Sequence, residues 1–376
     1  MSATKNWENW RWQIGASART REDLLRRLPS APRRENLEEG DSTANRGIEI
    51  PPLALRYPLK VTPYYLNLAS RLDLDDPVIR QVIPSREEQN PDPLAIDDPI
   101  GDRRRDHRPI PAVIHRYPRR ALFIPTWSCA VNCRFCFRRE REQLEGNGVL
   151  EAAAIEAGIG YLEAHDEIRE VILTGGDPLM LEDHLLLPLL ERLAALPHLR
   201  FLRLHTRMPV VNPFRLTPAF CQALARIDAT LWVATHFNHP AELAPPALER
   251  IGGLIDCGIP VLNQSVLLRG VNDDCDTLEE LVVDLLAARI KPYYLHHPDR
   301  ARGTGHLRVC LRRGAELMRT LRARVPGHAV PHYVLDLPGG YGKVPLEAQN
   351  WIQEGDGLYR ITAPDGSIHT YVDIPR

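Results

Sequence analysis

A short apolar run returns about every thirty residues through the middle of the chain, and that period leaves few folds open. Such runs occupy 121–125, 171–174, 201–205, 231–235, 261–266 and 293–296. Amphipathic helical patterns fill the gaps, as at 181–195, 218–227 and 278–288. Thr217-Pro218 reads as an N-cap followed by proline at the first helical position. Thr277 and Glu280 have capping-box spacing. Strands alternating with helices at this spacing imply right-handed crossovers and a parallel sheet. Six units are too few for an eight-fold barrel, so the expected fold is α/β, a partial (β/α)6 barrel, with a doubly wound sheet as the rival. In both, ligands gather at the C-terminal ends of the strands.

Three parts are expected: a helical and irregular N-terminal extension over 1–110, a barrel core over 111–325, and a C-terminal segment over 326–376 that packs on the core. The extension opens with Trp7, Trp10 and Trp12, passes a helix-like stretch at 21–28, and turns Pro-rich at Pro51-Pro52 and over 90–99. A basic run follows. Arg103, Arg104, Arg105 and Arg108 read as a solvated face, while Arg116, Arg119 and Arg120 adjoin the first apolar run and are pocket candidates. The net charge of −2 argues against a nucleic-acid coat or a polybasic membrane binder. No apolar run of about 18 residues is present and the first residues carry no signal-peptide pattern, so a soluble, cytoplasmic protein is expected.

The chemistry concentrates in a few places. Seven cysteines, an odd number, make a disulfide framework unattractive. Three of them fall in Cys129-Ala-Val-Asn-Cys133-Arg-Phe-Cys136, directly after the first strand. Three thiolates so spaced can hold one face of a cubane iron–sulfur cluster and leave the fourth iron open. Structural zinc would want a fourth ligand, usually from a second pair. The second strand ends in Thr174-Gly175-Gly176-Asp177-Pro178, which by itself could be only a turn. Of 47 cationic residues only Lys5, Lys60, Lys291 and Lys343 are lysines. Arginine matches lysine as a solvated charge but cannot form an imine. Lys343 lies in Pro338-Gly-Gly-Tyr-Gly-Lys343, where glycines let the backbone approach a bulky ligand. An ordinary surface lysine in a turn is the competing reading.

The cysteine motif and the glycine motif one βα unit later resemble those of the radical S-adenosylmethionine (SAM) enzymes. The tract His332-Tyr-Val-Leu-Asp336-Leu-Pro-Gly-Gly-Tyr-Gly-Lys343 resembles the pyridoxal phosphate (PLP) segment of the lysine 2,3-aminomutases. Similarity extends to Trp10-Arg-Trp12-Gln13, Gln81-Val-Ile-Pro84, His115-Arg116-Tyr117-Pro118, Thr235-His236-Phe237-Asn238-His239-Pro240 and Thr370-Tyr371, or about residues 7–374. The resemblance implies a TIM-like partial barrel of the radical SAM type and an isomerase that converts L-lysine to L-β-lysine. It also implies three cofactors: a [4Fe–4S] cluster on Cys129, Cys133 and Cys136, SAM, and PLP on Lys343. By matching position, Gly175, Gly176, Asp177, His236 and Gln264 would meet SAM. Arg116 and Arg120 would meet PLP, Arg138 the substrate α-carboxylate, and Asp299 and Asp336 the distal ammonium. The partners implied are a small amino-acid substrate and a flavodoxin- or ferredoxin-like electron donor, in a homo-oligomer.

Some features depart from the family pattern. No cysteine follows Cys310, so the C-terminal zinc cluster of better-known members lacks ligands, and His296-His297-Pro298 before Asp299 is unusual. Arginine could use a similar acidic pair. A modifier supplying β-lysine for elongation factor P is a further reading within the family. An iron–sulfur sensor that has lost catalysis and binds RNA through the arginine run is a reading outside it.

Overall fold

The computed structural model describes residues 6–27, 57–71, 73–139, 148–346, 351–356, 358–362 and 367–372. Pro51-Pro52 and the end of the 21–28 stretch lie outside the described residues. Nine strands form one sheet in chain order: β1 (Val113–Tyr117), β2 (Arg120–Thr126), β3 (Glu170–Gly175), β4 (Phe201–His205), β5 (Thr230–Thr235), β6 (Val261–Val266), β7 (Lys291–His296), β8 (His332–Leu337) and β9 (Gly342–Pro345). Strands β2 to β8 are parallel, and β1 and β9 are antiparallel edges. Between the parallel strands run α1 (Ala152–Glu163), α2 (Asp183–Ala194), α3 (Pro218–Ala225), α4 (Pro245–Asp256), α5 (Cys275–Ala287) and α6 (Leu311–Arg324). The expected six strand–helix units are present, and β8 adds a seventh parallel strand.

The strands alternate faces with period two. Val171 and Leu173 of β3, and Leu202 and Leu204 of β4, join the helices in one continuous buried cluster. On the interior face, Gln264 of β6 meets His205 of β4, and His296 of β7 meets Asp336 of β8. The apolar residues thus make the core and the polar ones are left for the barrel lumen. Across the remaining opening, the Lys343 backbone N–H donates to the Tyr117 hydroxyl at 3.0 Å. The two edge strands approach each other there through a side chain.

The N-terminal extension is built into this core. Trp10, Leu24, Leu59, Tyr65 and Ile79 belong to the same buried cluster as the barrel residues. Asn212 donates to the Trp10 carbonyl at 2.9 Å. Within the C-terminal segment over 326–376, β8 and β9 are part of the barrel sheet, and a separate antiparallel sheet of β10 (Trp351–Gly355), β11 (Leu358–Thr362) and β12 (Ile368–Val372) follows. No helix among the described residues is long and apolar enough to cross a membrane.

Thr217 caps α3 through the Phe220 N–H, with Pro218 at N1, as the sequence suggests. The Thr277 capping box is not formed. Asp274 caps α5 instead, accepting from the Thr277 N–H, so the helix starts two residues before that threonine. Helix α6 packs on β8 through Gly314, where an added Cβ would lie 1.9 Å from the Tyr333 hydroxyl. Gly314→Ala gains up to ~1 kcal/mol of helix propensity, but overpacking costs about 1–3 kcal/mol. A net loss of stability in denaturant unfolding is expected, and an unchanged or raised midpoint would contradict this packing.

Candidate active site

Cys129, Cys133 and Cys136 lie in the loop after β2, which is gripped from two sides. The extension supplies the Lys60 carbonyl to the Asn132 N–H (2.8 Å), the Gln81 carbonyl to the Arg134 N–H (2.8 Å), and the Lys60 ammonium to the Cys129 carbonyl. Arg134 is fully buried and pairs with Glu88 (Nε to Oε1, 2.7 Å), which also holds Arg139. From β3, the Gly176 N–H donates to the Thr126 carbonyl (2.9 Å) and the Asp177 N–H to the Ser128 carbonyl (2.8 Å). An added Cβ at Gly176 would stand 2.4 Å from the Ser128 oxygen, so only glycine permits this approach. Gly175 has φ of +107°.

The three thiols are near enough to act on one another's protonation. Burial and then Asp177, Cys136 and Cys133 raise the Cys129 thiol well above its ordinary range, while burial and Cys133 push the Cys136 thiol up to about 11. Without a metal these two are neutral thiols, and an iron ion would displace their protons. Among the described residues no three His, Cys, Asp or Glu side chains are close enough to share a single ion. Soft sulfur donors on separate corners suit an iron–sulfur cube better than zinc.

Asp177 is placed differently from the expectation that it meets SAM. One carboxylate oxygen accepts from the Leu179 N–H and the Thr206 hydroxyl, and the other from the Arg207 and Met208 N–H groups, at 2.7–3.1 Å. Both oxygens are occupied by the protein, so the side chain locks the β3 and β4 loops together.

His236 follows β5, and its buried Nε2 has no partner. Burial and then Arg207 keep its imidazole neutral, well below the usual histidine range. Gln264 lies 3.3 Å from His205 Nδ1, and the buried His205 Nε2 is likewise unpartnered. Unsatisfied buried polar atoms at strand ends are what a polar ligand would complete.

The β8–β9 turn carries Gly339, Gly340 and Gly342 at positive φ (85°, 85° and 99°) and sets Lys343 directly opposite Asp336. Lys343 Nζ is 2.5 Å from Asp336 Oδ2, 3.4 Å from His296 Nδ1 and 5.3 Å from the Tyr294 ring centre. Burial alone would raise the Asp336 carboxyl, but His296 and Lys343 hold it well below the usual range. Asp299 is pushed up to about 7 by burial and then by Asp336. A cavity of about 620 Å³ borders both aspartates, with His297, Arg269 and Leu335 also in its wall.

Between the two ends stands Asp102, which sequence reasoning missed because it opens a run of arginines. It is buried and pairs with Arg116 (3.2 Å) and Arg138 (3.0 Å). Arg138 also reaches the Thr174 hydroxyl at 3.3 Å, next to the glycine pair. Arg116 donates to the Ile100 carbonyl (2.9 Å) and its buried Nε is unpartnered. Arg120 stacks 3.9 Å from the Tyr117 ring centre. Of the run expected to be a solvated face, Arg104 and Arg105 are exposed while Arg103 and Arg108 are half-buried.

The raised Asp299 carboxyl has a thermodynamic consequence. The folded protein keeps a proton there that the unfolded chain, with the ordinary value of 3.8, has released. Asp299 therefore contributes a loss of ligand-free stability as pH rises from 3.8 to about 7, against the opposite contribution of the buried histidines, whose values lie below 6.5 in the folded protein. Asp299→Asn is expected to remove that slope and to be the more stable protein at pH 8. Coincident stability profiles for the two proteins would contradict the placement of Asp299.

The Radical SAM superfamily model matches residues 123–282, from within β2 into α5. The L-lysine 2,3-aminomutase of Bacillus subtilis (strain 168) is 34% identical over 367 residues, 98% of this chain and 74% of that one. The L-lysine 2,3-aminomutase of Clostridium subterminale is 34% identical over 366 residues, 97% of this chain and 84% of that one. The glutamate 2,3-aminomutase of Clostridioides difficile (strain 630) is 32% identical over 371 residues, 99% of this chain and 84% of that one. With a radical SAM core and likeness along nearly its whole length, the chain belongs to the lysine 2,3-aminomutase family of radical SAM enzymes.

Proposed function

We propose that the protein converts L-lysine to L-β-lysine. As a member of its family it is an isomerase that uses a [4Fe–4S] cluster, SAM and PLP. The donor set fits them: three free thiols within one eight-residue loop, unpartnered buried nitrogens at strand ends, and a lysine flanked by glycines that let a flat ligand approach. Bound together, these groups supply a 5′-deoxyadenosyl radical that takes hydrogen from the substrate β-carbon and a carbonyl carbon that makes the amino group migratable.

The residues divide the work. Cys129, Cys133 and Cys136 would hold the cluster, and Gly175, Gly176, His236 and Gln264 would meet SAM. Lys343 would hold PLP, with Arg116 and Arg120 available to its phosphate. Arg138 pairs the substrate α-carboxylate through its planar fork. Asp299 and Asp336 receive the distal ammonium. In the free protein the Lys343 ammonium neutralises Asp336. Once Lys343 turns to PLP, that carboxylate needs another cation, and the substrate brings one.

The observation that carries the lysine reading is this buried pair of aspartates. Burial, and then Asp336, push the Asp299 carboxyl up to about 7, so a cation reaching both carboxylates relieves a cost that an anion would worsen. A glutamate side chain would place a third carboxylate there. L-Arginine is the second reading, since it could use the same acidic pair, but Arg269, Arg300 and Arg308 in the wall of the cavity of about 620 Å³ oppose a guanidinium extending into it.

An external one-electron donor of the flavodoxin or ferredoxin type reduces the cluster. Exposed Ile352, Ile368, Tyr371 and Val372 on the β10–β12 sheet support a homo-oligomer. Free thiols suit the reducing cytoplasm.

Anaerobic assay of reconstituted protein with SAM, PLP and dithionite should convert lysine, and arginine more slowly, but not glutamate. Conversion of glutamate alone would overturn the reading. Lys343→Arg keeps the charge and should lose both turnover and the PLP absorbance band; retention of either would place the imine elsewhere. Asp336→Asn should raise the lysine KM at least about tenfold, the ~1.4 kcal/mol expected from losing one charge-assisted contact. An unchanged KM would remove Asp336 from the substrate site.

A further inference from the structure

Arg207, two residues beyond β4, has a buried side chain whose two terminal amino groups are both held by the protein, while its Nε has no partner. Its Nη2 donates to the Tyr65 hydroxyl (2.9 Å), to Gln81 Oε1 (2.6 Å) and to Glu242 Oε1 (2.8 Å). The rings of Tyr65 and Phe135 lie 5.2 and 5.1 Å from the guanidinium carbon. Glu242 is fully buried, and its other oxygen accepts from the Asn238 and His239 N–H groups. Gln81 is fixed in turn by Asn238 Nδ2 at 2.9 Å. With one edge of the guanidinium so anchored, the other has a single direction left. Its Nη1 donates to Cys133 Sγ at 2.8 Å.

A buried ion pair made only for stability would need no sulfur, and such pairs add little to net stability. Here the carboxylate stands behind the guanidinium and the thiol in front, so the pair presents its positive side to one of the three sulfurs. Donors to ligand sulfurs and nearby charge are the levers by which a protein sets an iron–sulfur potential. One-electron reduction by the external donor adds a negative charge to the cluster and its thiolates. A cation hydrogen-bonded to a ligand sulfur stabilises that reduced form, and the anion behind it limits the effect.

We propose that Arg207 is a positioning residue that raises the reduction potential of the cluster through Cys133, with Glu242 as the counter-charge that moderates it. The inference rests on the reading that Cys133 is a cluster ligand. It differs from a structural role in predicting opposite signs for the two members of one ion pair.

The test is an anaerobic potentiometric titration followed by electron paramagnetic resonance, on reconstituted protein without substrate. Arg207→Gln should shift the midpoint to more negative potential, and Glu242→Gln to more positive potential. Arg207→Lys, which keeps the charge, should fall between Arg207→Gln and the parent. Iron and sulfide contents equal to the parent show that each variant holds its cluster. Should Arg207→Gln fail to fold, Glu242→Gln and Arg207→Lys carry the test by their own signs. Midpoints unchanged from the parent, or shifts of both charge-removing variants in the same direction, would overturn the proposal. A parent protein with no cluster signal would instead refute the ligand reading itself.

Discussion

A single buried carboxylate, Asp102, joins the two halves of the site. It pairs with Arg138, which stands two residues beyond Cys136, and with Arg116, which lies toward the glycine turn of Lys343. Arg138 in turn touches Thr174, where the glycine pair begins. The sulfur end and the glycine motif therefore meet at Asp102 through Arg138 and Thr174, and the glycine turn of Lys343 lies against the Ile100 carbonyl that Arg116 holds. Removing one partner from a buried charge pair typically costs about 3–5 kcal/mol. Loss of Asp102 would thus leave two guanidinium groups uncompensated where the ligands must meet.

The same economy of charge governs the rest of the pocket. His205, His236 and His296 are all kept below the usual histidine range, chiefly by burial. Asp299 is held protonated up to about pH 7, while Asp336 is ionised against Lys343 and His296. The free protein is thus close to internally neutral and the arriving substrate changes that balance. An amino acid with a second ammonium restores a cation where Lys343 had supplied one. Selectivity by charge follows from which groups the protein leaves without a partner.

Much of this was legible in the sequence. The thirty-residue period announced the strand–helix repeats because fully buried strands leave an apolar trace that side-chain detail cannot hide. The cysteine spacing and the isolated lysine were visible because few alternatives exist for those residue types in those places. The seventh strand was less visible as barrel, since His332 to Leu337 mixes polar and apolar residues and contributes Asp336 to the lumen. Asp102 was obscured by the arginines around it, because composition reports a run's charge but not which side chain turns inward. Asp177 matched its motif, yet its carboxylate is bound by four protein donors, which only the folding of Thr206 to Met208 beside it could reveal. The Arg207–Glu242 pair is separated by 35 residues and joined only by the approach of β4 and β5 loops. No local pattern encodes it.

The central claim is that the sulfur-bound cluster and the lysine-bound cofactor act on one substrate molecule in one cavity. Following the label from lysine deuterated at its β-carbon tests this most directly, in an anaerobic reaction stopped during turnover. The account requires deuterium to appear in 5′-deoxyadenosine and then to be redistributed into β-lysine. β-Lysine formed with no deuterium ever entering 5′-deoxyadenosine would show that the two ends of the site do not share their substrate.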